Sequence, residues 1–287
     1  MYTEEHYHQV NGITLHTVEA GDAEGAYIIF LHGFPECWYG WKAQISFFAE
    51  RGYRVIIPDQ RGYNLSSKPT GVKSYCLHHL VGDIAALIQQ LTSKKVFLVG
   101  HDWGGAVAWQ LALHHPQLLN SLFIVNMPHP QVFNQTIRTS VAQMLHSSYA
   151  GFFQIPFLPE WALRSFHYAL LERTLLKTSK EGTFLKKDIA AYKKAWQQPQ
   201  ALTSMINWYR AYKYNTLSPS GKVHLPVLLI WGRKDHFLLP QMAQDSVDKC
   251  TNGKLVMIED ATHWIHHEQP ELVNTLIHDF IKKNVRG

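Results

Sequence analysis

Cysteine is scarce in this chain. The 287 residues include three cysteines, Cys37, Cys76 and Cys250, which are odd in number and widely spaced. This count argues against a disulfide framework and indicates a reducing compartment, so we expect a cytoplasmic protein. The N-terminal residues are polar and acidic, and they are not expected to form a signal peptide.

Long apolar runs and long basic runs are also missing. The longest apolar runs, such as Ala26–Leu31, span six residues, whereas a membrane helix needs about 18. The formal net charge is +5, and the basic stretch from Arg173 to Lys194 is interrupted by Glu181 and Asp188, which indicates a solvated helix face. We therefore expect a soluble protein with no membrane span and no nucleic-acid partner.

The familiar metal-ligand spacings are absent as well. The chain has eighteen histidines, but none stands in an H-E-x-x-H or comparable pattern, so the prediction is that no metal is bound. The neighbouring His266 and His267 are interpreted as the solvated start of a helix.

Short apolar segments alternate with helix-like segments along most of the chain. With 46% apolar residues the chain can bury a sizeable core. The alternation predicts an α/β fold in which helices flank a mostly parallel central sheet. The predicted strands are 13–19, 26–31, 54–58, 95–99, 121–126, 226–231 and 254–258, and the predicted helices are 41–50, 77–91, 104–114, 241–249 and 270–283.

Residues 131–219 break this alternation. The segment has no convincing strand, is rich in aromatic residues and contains three or four helix-like stretches bounded by prolines. The simplest interpretation is an all-helical cap, inserted into a core made of residues 1–130 and 220–287.

A short glycine-flanked motif indicates the chemistry. Gly100-His-Asp102-Trp-Gly104 follows the apolar run Val96–Val99 and precedes a predicted helix. This is the pattern of a nucleophile elbow, with aspartate where esterases carry serine. A carboxylate is suited to displacement at saturated carbon, which leaves an ester on the protein that must then be hydrolysed. We therefore predict Asp102 as a nucleophile acting on epoxides or alkyl halides.

Hydrolysis of such an ester requires a base and a group that orients the base. In this arrangement the chain order is nucleophile, acid, histidine. Asp235 follows one predicted strand and His263 follows the next, so we predict them as orienter and base. Glu259 and Asp260 are alternative carboxylates.

The oxyanion donors are predicted from the same pattern. They are the N–H of Trp103, directly after the nucleophile, and the N–H of Phe34, in the loop after an early strand. The side chains of Phe34 and Trp103, together with Pro35, Phe153 and Trp264, are predicted to wall the substrate pocket.

Three motifs together carry a resemblance to a known family. His32-Gly-Phe-Pro-Glu36, Asp59-Gln-Arg-Gly-Tyr63 and Gly100-His-Asp-Trp-Gly-Gly105 resemble those of the epoxide hydrolases in the α/β-hydrolase superfamily. The resemblance implies the α/β-hydrolase fold and conversion of epoxides to vicinal diols through an ester on Asp102, with no cofactor. The expected partners are a small apolar epoxide and water, and the expected state is a monomer or homodimer.

The resemblance further implies two cap tyrosines that protonate the epoxide oxygen, and Tyr149 and Tyr209 match them. Helical spacing independently places each on an apolar face, Tyr209 with Leu202, Met205 and Ile206, and Tyr149 with Val141, Leu145 and Phe152. The alternative tyrosines are Tyr168, Tyr192, Tyr212 and Tyr214.

Departures and alternatives remain. Asn64 and Thr262 stand where the family usually has glycine, and the latter is expected to shift His263 slightly.

A haloalkane dehalogenase uses the same nucleophile, but it usually has asparagine or a cap tryptophan as second halide donor, whereas position 34 is phenylalanine. A fluoroacetate dehalogenase would carry arginine in place of Trp103. A ligand receptor that kept the fold without catalysis is a third possibility.

Overall fold

The computed structural model describes residues 3–215 and 221–285. Eight strands form one sheet, and all seven predicted strands are present. The additional strand is the first, which the polar sequence of its seven residues concealed. The strands are β1 (Glu4–Val10), β2 (Ile13–Gly21), β3 (Ala26–Leu31), β4 (Tyr53–Pro58), β5 (Val96–His101), β6 (Leu119–Val125), β7 (Val223–Gly232) and β8 (Cys250–Ile258).

The order of the sheet is β1-β2-β4-β3-β5-β6-β7-β8. Strand β2 pairs antiparallel with β1 and with β4, and every other pairing is parallel. The predicted α/β class with a mostly parallel sheet is therefore confirmed. Because parallel strands end at the same edge, the loops after β3, β5, β6, β7 and β8 meet there.

Helices cover both faces of the sheet. Residues 96–99 of β5 and 227–231 of β7 are buried throughout, as expected for central strands covered on both faces. The helices are α1 (Lys42–Ala49), α2 (Leu77–Leu91), α3 (Trp103–His114), α4 (Pro130–Thr139), α5 (Val141–His146), α6 (Ser148–Phe152), α7 (Leu158–Thr178), α8 (Lys186–Trp196), α9 (Ala201–Ala211), α10 (Gln241–Val247), α11 (Ile265–Glu268) and α12 (Pro270–Val285).

Six of these helices, α4 to α9, lie between β6 and β7. We call residues 130–215 the helical insertion. Its described part contains no strand, as the sequence predicts, but it has more helices than the three or four expected, because several are only one or two turns long. The predicted boundary at residues 219 and 220 lies outside the described residues.

The two predicted apolar faces of the insertion have different outcomes. On α9, Leu202, Met205 and Ile206 are buried with Tyr209, as predicted. The stripe predicted through Tyr149 is wrong at its start, since Val141 and Leu145 are 66% and 68% exposed. The physical reason is that the chain turns between α5 and α6, so helical spacing does not continue across them.

Among the described residues, no helix is long and apolar enough to cross a membrane.

Candidate active site

Asp102 occupies a strained turn between β5 and α3. Its backbone lies at φ 49° and ψ −123°, a conformation that costs a non-glycine residue free energy. Close contacts explain two of the neighbouring glycines. A Cβ on Gly33 would lie 2.4 Å from the Asp102 Cβ, and one on Gly104 would lie 2.3 Å from the Leu31 oxygen. Glycine is therefore needed at position 104 in the turn and at position 33 in the facing loop after β3, so that Asp102 can sit at the edge of the sheet.

The two carboxylate oxygens of Asp102 have different neighbours. The Phe34 N–H donates to Oδ1 at 2.8 Å, and His263 Nε2 lies 3.7 Å from Oδ2, beyond a hydrogen bond. Burial acts to raise the pKa of Asp102, but the adjacent His263 outweighs burial and brings it below its ordinary value. The side chain is 14% exposed, so an ionised carboxylate has access to small molecules.

His263 is held from behind by Asp235. The His263 Nδ1 to Asp235 Oδ2 distance is 2.8 Å, and the other oxygen of Asp235 accepts from the N–H groups of Phe237 and Leu238 at 2.7 and 3.0 Å. Burial opposes a charge on the imidazole, but Asp235 and Asp102 outweigh it and raise the pKa of His263 to about 10. Nε2 consequently faces Asp102 while Nδ1 is occupied.

Asn126 is a site residue that the sequence analysis missed. It follows β6, has φ 46°, and donates from its amide to Asp235 Oδ2 at 2.6 Å. Its side-chain oxygen accepts from the Gly232 N–H at 3.1 Å. The signal was available, because a polar residue directly after a buried strand at this edge is a candidate for the site.

The rival carboxylates lie elsewhere. Glu259 is exposed and pairs with Arg233, and Asp260 is exposed and pairs with Lys180 and Lys234. Both point away from the imidazole of His263, so Asp235 is the carboxylate that the structure brings to it.

Tyr149 and Tyr209 face Asp102 from the helical insertion. Their ring centroids are 5.8 Å apart, and both rings line the two cavities that contain Asp102. Burial raises the pKa of Tyr149 and of Tyr209, and the charge of Asp102 raises both further. Both phenols therefore keep their protons and can donate them.

The alternative tyrosines have other contacts. Tyr168 packs on Trp196, Tyr192 donates to Glu36, and Tyr214 is 48% exposed. Tyr212 does line the larger cavity, but its hydroxyl donates to Asn134.

Two cavities meet at Asp102. The larger one measures about 370 Å³ and includes Trp103 and the side chains of α4, and the smaller one measures about 240 Å³. Four of the predicted wall residues, Phe34, Pro35, Phe153 and Trp264, line the smaller cavity. Phe237 also lines it and packs on His263 with a centroid distance of 5.0 Å; the sequence analysis missed this residue.

The interpretation of His266 and His267 as a solvated helix start is wrong. His266 is fully buried, and both Nε2 atoms lie against Glu36, at 3.3 and 2.6 Å. The reason is that α11 begins just after His263 and packs its two imidazoles against the buried Glu36 carboxylate, which is a hydrogen-bond acceptor. His101 Nδ1 lies 3.3 Å from the same carboxylate. We call Glu36, His101, His266 and His267 the histidine cluster.

The two departures from the family pattern are accommodated. Asn64 adopts φ 39°, which asparagine tolerates, and its amide donates to Asp59 at 2.8 Å. Thr262 donates from N–H and hydroxyl to Glu268 at 2.9 and 2.6 Å. His263 still meets Asp235, so the expected shift leaves that contact intact.

Chemically, the site offers a carboxylate nucleophile, a paired imidazole beside it and two protonated phenol hydroxyls across a cavity. Trp103 is the first residue of α3, so its N–H has no partner within the helix and is available to a ligand. The Phe34 N–H points at the Asp102 carboxylate. This set suits displacement at carbon with protonation of a leaving oxygen.

Comparison with known proteins agrees with this geometry. The sequence profile of the α/β-hydrolase fold family matches residues 27–270. The AB hydrolase superfamily protein YfhM of Bacillus subtilis is 47% identical over 274 residues, covering 95% of this chain and 96% of the relative. Epoxide hydrolase 2 of Caenorhabditis elegans is 37% identical, covering 96% of this chain and 79% of the relative.

A solved structure is similar throughout. The epoxide hydrolase of Bacillus megaterium, crystallised with an inhibitor, superposes with a TM-score of 0.89 at 31% identity, covering 96% of this chain and 100% of that chain. The predicted α/β-hydrolase fold and the resemblance to epoxide hydrolases are thereby confirmed.

Proposed function

This chain belongs to the α/β-hydrolase fold family, and we propose that it is an epoxide hydrolase that forms vicinal diols through an ester on Asp102. The observation that carries the proposal is the placement of an accessible aspartate, rather than serine, opposite the hydroxyls of Tyr149 and Tyr209. Relatives named epoxide hydrolase support the substrate class.

In the first step, Asp102 attacks an epoxide carbon. A new bond forms between its carboxylate oxygen and that carbon, and the carbon–oxygen bond of the ring breaks. The oxygen that leaves takes a proton from Tyr149 or Tyr209, so no free alkoxide is formed. Their raised pKa values mean that both phenols carry this proton at neutral pH.

In the second step, water hydrolyses the ester. His263 Nε2 takes a proton from water, and the resulting hydroxide attacks the carboxyl carbon of Asp102. The N–H groups of Phe34 and Trp103 hold the oxyanion of the tetrahedral intermediate. Its collapse frees the diol and restores the Asp102 carboxylate, and His263 keeps the proton that it took from water, as in the resting site.

The electrostatics favour this sequence. Asp102 is one of the two carboxylates that raise the pKa of His263. When Asp102 becomes a neutral ester, that contribution disappears, and His263 gives its proton through solvent to the tyrosinate left by the first step. It can then act as a base at the stage at which a base is needed.

The substrate is proposed to be a small apolar epoxide. Both cavities have mainly apolar walls, with aromatic rings from Phe34, Phe153, Phe237 and Trp264 in the smaller one. A slot of this type favours aryl or alkyl substituents. The proposed chemistry requires no cofactor.

The dehalogenase alternative has less support. Halide release needs two N–H donors near the nucleophile, and Trp103 supplies one. Position 34 supplies only a backbone N–H, which points at Asp102. The tyrosine pair would have no role in that reaction.

The protein is proposed to be located in the cytoplasm. The three cysteines are free and buried, in keeping with a reducing, cytoplasmic location. The chain is proposed to act as a monomer or homodimer.

The test is diol formation from styrene oxide and a linear alkyl epoxide by wild type and by Asp102→Asn. We expect diol from the wild type and a loss on the order of 10⁴-fold in the variant, because the nucleophile is removed. Asp260→Asn, which changes an exposed carboxylate outside both cavities, is the matched control.

No diol from any epoxide would contradict the proposal. Bromide release from bromoalkanes would then favour the dehalogenase, and tight binding of apolar ligands without turnover would favour the receptor.

A further inference from the structure

The histidine cluster surrounds one buried carboxylate with three imidazoles. Glu36 Oε1 lies 2.6 Å from His267 Nε2, and Glu36 Oε2 lies 3.3 Å from His266 Nε2 and 3.3 Å from His101 Nδ1. The side chains of Glu36, His101 and His266 have no exposed surface, and that of His267 is 4% exposed. None of the four residues lines either cavity at Asp102.

The tautomer of His101 follows from its other nitrogen. Nε2 lies 3.0 Å from the backbone oxygen of His263, and a carbonyl oxygen only accepts, so Nε2 carries a hydrogen. In neutral His101, Nδ1 then has a lone pair that faces the Glu36 carboxylate, and this buried atom has no hydrogen-bond partner. The Nδ1 lone pair and the Glu36 oxygen face each other at 3.3 Å and repel. A positive charge is therefore needed, either on His101 or between the two atoms.

We propose that Glu36, His101, His266 and His267 form a binding site for a divalent transition-metal cation of the zinc class. Imidazole nitrogen and carboxylate oxygen are the ligands that such cations take. One ligand atom from each of Glu36, His266 and His267 lies within 4.8 Å of the others, and His101 Nδ1, 3.3 Å from Glu36 Oε2, is the proposed fourth ligand.

The spacing of the donors fits such a cation. Metal–nitrogen distances of about 2.0–2.1 Å put neighbouring ligand atoms about 3.3 Å apart in a tetrahedral site. The two 3.3 Å distances to Glu36 Oε2 already have this value, and the 2.6 Å contact of His267 would have to lengthen.

Outer contacts orient two of the ligands. The Nε2–H of His101 donates to the His263 carbonyl, and the Tyr192 hydroxyl donates to Glu36 at 2.6 Å. Ligating imidazoles in metal sites commonly have such a partner on the second nitrogen. The absence of a spaced motif follows from the distance in sequence, since Glu36 lies in the loop after β3 whereas His266 and His267 lie in α11.

The proposal is tested on the full chain after treatment with a chelator. Zn²⁺ binding is measured by isothermal titration calorimetry, and Co²⁺ binding by its visible absorption. We expect one equivalent bound by wild type and at least tenfold weaker binding by His267→Gln and by Glu36→Gln. The control is the double variant His78→Gln and His79→Gln, an adjacent pair on α2 with rings 4.1 Å apart, which should bind like wild type.

Absence of binding in the wild type would overturn the proposal, as would binding lost in the His78 and His79 control. Zinc X-ray absorption of the wild type covers the case in which a variant fails to fold: three imidazole ligands are expected, and fewer than three would overturn the site. These readouts are independent of epoxide turnover.

Discussion

The catalytic centre and the histidine cluster use the same chemical groups in different settings. Asp235 lies 2.8 Å from His263, and Glu36 lies 2.6 Å from His267. The two regions touch at His101, whose Nε2 donates to the backbone oxygen of His263 and whose ring lies 4.6 Å from the His263 ring, centroid to centroid. The catalytic pair faces a cavity through Asp102, whereas the cluster is enclosed. Access to small molecules, rather than the identity of the groups, therefore distinguishes the catalytic pair from the pair in the histidine cluster.

The two carboxylates are also stabilised differently. Asp235 accepts hydrogen bonds from two backbone N–H groups and from the side-chain amide of Asn126. Its negative charge is therefore stabilised by uncharged donors. Glu36 accepts from imidazoles and from Tyr192. The charge of Asp235 can thus remain when His263 loses a proton, while that of Glu36 depends on its histidines or on a cation.

The largest effect is expected for His263→Gln, which removes the base but leaves the nucleophile. Turnover should fall on the order of 10⁴-fold, because the ester forms but is not hydrolysed. Mass spectrometry of the intact protein after mixing with epoxide should show one added substrate mass. Loss of activity without this adduct would contradict the covalent route, and His224→Gln, at an exposed histidine, is the control.

The isosteric pair Asp235→Asn and Glu36→Gln tests the comparison directly. Asp235→Asn should lower turnover by about 10²–10⁴-fold with a modest change in stability, because the orientation and charge of His263 are lost. Glu36→Gln should keep turnover within about tenfold but lower the free energy of unfolding by about 3 kcal/mol, since the buried imidazoles lose the carboxylate that they contact. Urea unfolding measures the free energy of unfolding, and steady-state kinetics measure turnover. Identical behaviour of the two variants would contradict the difference drawn between the two carboxylates.

A smaller effect is expected for the tyrosines. Tyr149→Phe and Tyr209→Phe should each slow ring opening by roughly 10–100-fold, and the double variant by more than either, because one phenol can partly replace the other as proton donor. Single-turnover kinetics isolate this step. Tyr212→Phe, in the wall of the same cavity, is the control, and a double variant at wild-type speed would contradict the proposed role.

A third carboxylate–imidazole pair lies outside the catalytic centre and the histidine cluster, and it allows a test at low pH. His8 Nε2 lies 2.9 Å from Glu19 Oε1. Burial opposes ionisation of Glu19, but its contacts with His8, Thr17 and Arg54 lower its pKa to about 2. Its stabilisation is therefore present above the ordinary carboxyl pKa and is lost as pH falls from about 5 toward 2.

Glu19→Gln should consequently flatten the acid side of the stability profile. Between pH 7 and pH 3 the variant should lose about 1 kcal/mol less than wild type, after allowance for screening by solvent. Urea unfolding at the two pH values measures this difference. Equal losses in both proteins would show that this pair, unlike the two buried centres, is not a source of pH dependence.

Local patterns predicted much of the fold. Short apolar segments predicted seven strands, because a buried strand is marked by apolar residues that are close together in the sequence. The polar β1 left no such signal. The apolar stripe through Tyr149 failed because spacing assumes one continuous helix, and the chain turns between α5 and α6.

The elbow at Asp102, and the order in which Asp235 and His263 follow it, could be predicted from local patterns in the chain. Each of these depends on a strand and the residues directly after it. Which buried polar groups meet, in contrast, depends on how the strands are ordered and how distant segments pack. Sheet order brings Asn126 to Asp235, and it brings Glu36 to His266 and His267 from the far end of the chain. Such contacts leave no period in the sequence, because they arise from the packing of distant loops rather than from the conformation of one segment.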